Sequence, residues 1–149
     1  MNQKIREAFL KASQNYKDLK NFEQLLQNEQ PDKPLFRAYQ AACKALYAYY
    51  SLVPAMKLSY FLEASQMLSN AIQEVPENIE MRFIRFAMES SLPAAANNYA
   101  LHLREDKKVI VEQITKSKLQ KSFKKVIAQM LVHSGLCTFA DKKVLEKYQ

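Results

Sequence analysis

A single glycine, Gly135, serves a chain of 149 residues, where an average composition would supply about 7%. Loops that cradle phosphates need glycine so that the backbone can come close to the ligand. A P-loop and a dinucleotide fingerprint are therefore excluded. The tight primed turns of β-hairpins also depend on glycine, which disfavours an all-β fold. Ala, Leu, Lys, Gln and Glu dominate instead, and all are good helix formers. Hydrophobic residues make up 48% and charged residues 25%, enough apolar material for a globular core. These features predict an all-α chain forming one helical domain over residues 1–149.

The apolar spacing sets the helices. Ile5, Ala8, Phe9 and Ala12 recur at helical intervals, and Tyr16, Leu19, Phe22, Leu25 and Leu26 repeat the pattern after a break marked by Ser13 and Asn15. Pro31 and Pro34 bracket the next break. Two apolar stripes then run side by side: Leu35, Tyr39, Ala42, Leu46 and Tyr49, and Phe36, Cys43, Tyr47 and Tyr50. A helix apolar on most sides is packed on most sides. Pro54 suits a first helical position, and Pro76 ends the stripe from Leu58 to Val75. Ile79, Phe83 and Phe86 form one face of a fifth helix, and Met81, Ile84 and Met88 another. Helices at roughly 35–50, 55–74 and 78–91 are expected at the centre of the fold. After Pro93, Val109 to Ile114 and Leu119 to Leu131 give two more helices, Gly135 a stop, and Phe139 to Leu145 a short last helix. No period-2 run longer than a few residues appears, so no strand is expected.

Within residues 45–78, Ala64, Leu68, Ala71 and Pro76 stand in the register of the second helix of a tetratricopeptide repeat (TPR). Small residues there let two helices close, a larger one fills the groove, and proline ends the hairpin. The first-helix offsets depart from the pattern, holding Ala48, Ser51, Leu52 and Ala55. Pro31 and Pro76 are 45 residues apart, against a regular period of about 34. The stretch from Leu58 to Asp106, with Asn78-Ile79-Glu80-Met81-Arg82-Phe83-Ile84-Arg85-Phe86 at its middle, resembles small bacterial TPR-like proteins. The resemblance implies antiparallel helical hairpins in an irregular TPR-like α-α superhelix, and it implies no activity.

Residues with chemistry are few. Metal sites take three or four ligands at close spacing. His102 and His133 are the only histidines, and Gly135 interrupts any helix joining His133 to Cys137. Cys43 lies in an apolar helix, where a thiol is inert. Neither a catalytic set, a metal nor a cofactor is expected. Two cysteines far apart imply no disulfide framework. Glu105-Asp106 and Glu77/Glu80 sit near helix starts, where acids favour the dipole. Arg82 and Arg85 lie one turn apart. They read either as structural, with Glu89 at i+4 from Arg85, or as a clamp for an anion or peptide carboxylate.

The net charge of +7 is mostly C-terminal: residues 76–149 carry thirteen Lys/Arg against eight Asp/Glu. Lys116, Lys118, Lys121, Lys124 and Lys125 form an acid-free run, with Lys118, Lys121 and Lys125 expected on one face of a helix. The function expected from this reading is a non-catalytic interaction scaffold for a protein or peptide. Exposed members of Tyr47, Tyr50, Tyr60, Arg82 and Arg85 would form its contact surface. The alternative is an anion-binding module using Lys118, Lys121 and Lys125 toward nucleic acid or an anionic membrane. Nucleic acid is disfavoured, because base-reading or stacking side chains do not share that face. No stretch approaches the about 20 apolar residues of a membrane span, and the first twelve residues lack the apolar segment of a signal peptide. This points to the cytoplasm, or to the periplasm or exterior if a leader preceded the chain.

Overall fold

The computed structural model describes residues 2–30 and 32–149, and among these there is no strand. Pro31, half of the first expected break, lies outside the described residues. Eight α-helices are present among them: α1 (Asn2–Gln14), α2 (Leu19–Gln27), α3 (Pro34–Tyr50), α4 (Pro54–Glu74), α5 (Ile79–Ser90), α6 (Leu103–Gln113), α7 (Lys121–His133) and α8 (Phe139–Leu145). Single 3₁₀ segments cover Tyr16–Asp18, Ala94–Tyr99 and Glu146–Tyr148. The Ala-Ala-Ala-Asn-Asn run, where alanine favours helix and the asparagine pair a turn, forms a 3₁₀ segment. The chain divides at the Pro76 break into two compact units, Met1–Pro76 and Glu77–Gln149.

In the first unit Asn15 separates α1 from the 3₁₀ segment Tyr16–Asp18, its side chain accepting the Lys17 N–H at 3.1 Å. Three buried rings then hold α1, α2 and α3 together. Phe9 lies 5.8 Å from both Phe22 and Tyr39, and Phe22 lies 6.3 Å from Tyr39. Each such pair is worth about 0.5–1.5 kcal/mol beyond the area it buries. Proline at the first turn opens both α3 and α4, where its missing N–H has no intrahelical partner to lose. These two helices form an antiparallel hairpin. Arg37 meets Glu74, Lys44 meets Glu63, and Tyr47 meets Tyr60, so one number falls as the other rises. Ala38, Ala41 and Ala42 on α3, and Ala64 and Ala71 on α4, are fully buried with Leu68 between them. Small side chains let the backbones approach, and Leu68 fills what they leave.

The second unit is arranged around α5. Asn78 caps that helix by accepting the Met81 N–H at 3.0 Å, and every residue from Ile79 to Phe86 is buried. Phe83 meets Phe123 of α7 edge-on at 5.5 Å. α7 begins at Lys121, so Leu119, expected inside it, precedes it. Gly135 ends it at φ +77°, a left-handed conformation that only glycine adopts without strain. Thr138 and Asp141 then form a reciprocal cap for α8. Asp141 also accepts Lys107 at 2.6 Å, which ties α8 to α6.

Candidate functional site

Arg82 and Arg85, expected as exposed contact residues, are buried, at 5% and 4% exposure. α5 is apolar on two sides, so its arginines are carried inside and need anions there. Anions reach them from the next helix, α6. Asp106, fully buried on α6, accepts Arg82 Nη1 at 3.0 Å, Arg85 Nε at 2.8 Å and Arg85 Nη2 at 2.7 Å. Glu105, at the rim, accepts Arg82 Nη1 at 3.0 Å. That hydrogen bond, joined by the charges of both arginines, holds the Glu105 carboxyl below the usual carboxylate range. Glu105 and Asp106 therefore do more than favour a helix dipole: they are the counter-ions of α5.

Glu89, expected opposite Arg85, turns elsewhere. One of its oxygens accepts the His102 backbone N–H at 2.7 Å, and the other meets His102 Nδ1 at 3.0 Å. The carboxylate thus caps the start of α6 from a neighbouring helix, with both oxygens engaged. Among the described residues no three His, Cys, Asp or Glu side chains stand together as metal ligands do.

The tyrosines of α3 are likewise committed to the fold. Tyr47 donates its hydroxyl to Glu23 of α2 at 2.5 Å, and this bond, with burial, pushes the phenol up. Tyr50 donates to the Ala12 carbonyl at 2.6 Å; burial raises it too. Tyr60 is half-buried beside Tyr47, with ring centres 6.1 Å apart. Burial pushes the Cys43 thiol up to about 12, with Glu23 adding to it, so Cys43 holds no thiolate for chemistry. Cys137 is raised by burial as well, and both cysteines are free thiols.

Lys118 does not join Lys121 and Lys125 on a helical face, because α7 starts three residues after it. All three are exposed. Lys124, from the same run, is buried: its Nζ donates to the Ser117 carbonyl at 2.7 Å and lies 5.5 Å from the centre of the Tyr148 ring. One lysine of the run therefore packs against the 3₁₀ segment Glu146–Tyr148, and the expected cationic face shrinks to Lys121 and Lys125.

The second unit also contains an open groove of about 780 Å³. Leu92, Leu103, Val126, Met130 and Leu136, all half-buried, line it, and Asn97, Gln129 and His133 stand exposed among its lining residues. Val126 and Met130 were legible only as the apolar side of an amphipathic helix. The signal for the groove was Leu92 and Leu136, apolar residues placed just beyond helix ends, where nothing in the sequence gives them a partner. Comparison of the chain with protein families, curated proteins and solved structures returned no match.

Proposed function

We propose that this chain is a non-catalytic interaction protein that holds an apolar-faced segment of a protein partner against a curved helical surface. The groove of the second unit carries the reading. Its apolar side chains are half-covered, and polar residues rim them. This is the composition of a site that buries a few anchoring side chains of a peptide. The carboxylate that lines it, Glu89, is engaged in capping α6 and in meeting His102.

The TPR-like reading of the hairpins belongs to the same proposal. The full burial of Ala64, Leu68 and Ala71 supports it, since those positions are small, large and small in a repeat's second helix.

A displayed library of random peptides, selected on the chain and screened against its Met130→Glu variant, tests the function. Enriched peptides with apolar residues three or four apart are expected. They should bind the variant at least about tenfold more weakly, because a carboxylate would be buried without a partner. No enrichment, or peptides indifferent to Met130→Glu, would refute the proposal.

A further inference from the structure

One end of the first unit displays apolar side chains that the unit leaves uncovered. Leu52, in the turn between α3 and α4, is 94% exposed, and Val53 beside it 49%. Tyr16, Tyr49 and Met56 are also exposed. They form one patch. Tyr50 meets Tyr16 edge-on at 5.3 Å and Tyr49 at 5.1 Å, which brings the 3₁₀ segment after α1 beside the α3–α4 turn. Lys57, next to Met56, donates to the Tyr49 carbonyl at 3.2 Å.

The turn is braced. The Ser51 N–H donates to the Tyr47 carbonyl, the Val53 N–H donates to Ser51 Oγ at 3.2 Å, and Pro54 fixes the start of α4. Leu52 is therefore held out into solvent by a rigid turn. The rim is cationic, with Lys11, Lys17 and Lys57 exposed and Asp18 half-buried. The acids one turn further away are engaged, Glu23 by Tyr47 and Glu63 by Lys44.

We propose that this end of the first unit docks on an anionic lipid surface. Leu52, Val53 and Met56 enter the acyl boundary, Tyr16 and Tyr49 lie at headgroup depth, and Lys11, Lys17 and Lys57 meet the anionic headgroups. The composition of the patch is the reason for choosing lipid. Exposed aliphatic side chains on a braced turn, exposed tyrosines, and exposed lysines close to both in sequence are the three kinds of residue that an anionic bilayer surface receives. Among the described residues no helix is long and apolar enough to cross a membrane, and the contact proposed is with the bilayer surface. It needs both components, because a few aliphatic side chains or a few lysines alone give only marginal attachment.

The test uses vesicles of phosphatidylcholine with and without phosphatidylserine, followed by flotation. The chain contains no tryptophan, so Leu52→Trp places a single reporter at the tip. Flotation with phosphatidylserine vesicles is expected, together with a blue shift of the reporter's emission. Leu52→Asp with Val53→Asp should weaken partitioning at least about tenfold. Lys11→Glu with Lys17→Glu should remove the preference for phosphatidylserine. These side chains are exposed, so far-UV circular dichroism should match the parent for every variant. An unshifted emission, or flotation that Leu52→Asp with Val53→Asp leaves intact, would overturn the proposal. So would a vesicle-indifferent dimer that the same pair of substitutions dissociates, because the patch would then belong to a second copy of the chain.

Discussion

Replacing Asp106 by alanine should be among the most damaging single changes available to this chain. Asp106 is fully buried and accepts three hydrogen bonds from two arginines that are themselves buried. Hydrogen bonds to charged groups contribute about 1.5–3 kcal/mol each, but they do not add when they share one acceptor group. The larger effect is on what remains. Without Asp106, two buried guanidinium groups lose the buried acceptor they share, and Glu105, whose side chain is 59% exposed, is a solvent-screened substitute. Removing one side of a buried ionic cluster costs about 3–5 kcal/mol, a drop in Tm of roughly 10 °C for a chain of this length.

Chemical and thermal unfolding followed by far-UV circular dichroism would measure it. Glu105→Ala is the internal control and should cost no more than about 1 kcal/mol, because an exposed partner contributes little. Replacing the whole cluster, Arg82→Met, Arg85→Met and Asp106→Leu together, should regain most of the loss, since buried ion pairs exchanged for apolar residues of similar volume are often neutral. An Asp106→Ala chain within about 1 kcal/mol of the parent would refute the claim that the arginines depend on it.

Two further outcomes come from the titrating groups. Glu105 and Asp141 both have carboxyls held below their ordinary values of 4.5 and 3.8, the first by Arg82. For Asp141 burial pushes upward, but Lys107 and Thr138 outweigh it. A depressed carboxyl contributes stability above its unfolded value and loses it as pH falls through the folded one. Acid titration should therefore show little change down to the ordinary carboxylate range and a loss of stability below it, with Lys107→Met flattening the Asp141 part. A profile rising toward acid would contradict this. For the thiols, Cys137 should react slowly with a disulfide reagent in the native chain and Cys43 only in denaturant, since Cys43 is buried and pushed up to about 12; rapid native modification of Cys43 would contradict the packing of α3.

The helices were largely legible because their signals are local. Periodicity placed α3, α4 and α5 within a residue or so of where they lie, and Pro34 and Pro54 marked two starts directly. The ionic cluster was not legible because its signal is not local. Spacing suggested Arg85 with Glu89, four residues on, but α5 is buried on nearly all sides, so its arginines pair with Asp106 more than twenty residues away while Glu89 caps α6. A helix apolar on two faces yet carrying Glu80, Arg82, Arg85 and Glu89 does warn that counter-charges must arrive from elsewhere; spacing alone does not say from where. Lys118 was placed on a helical face for the converse reason. The lysine run continues across a helix start, and nothing in it signals that Gln120 occupies the N-cap position. The Tyr47 and Tyr50 hydroxyls found partners in α2 and α1, contacts that depend on tertiary packing.

That the groove of the second unit receives a protein segment is the central claim. The most direct measurement is a methyl-labelled NMR titration of the chain with a peptide selected on it. The methyl signals of Leu92, Val126, Met130 and Leu136 are predicted to shift saturably, while those of Leu26 and Leu68 in the first unit stay in place. Saturable shifts confined to the first unit, with the groove methyls unmoved, would contradict it.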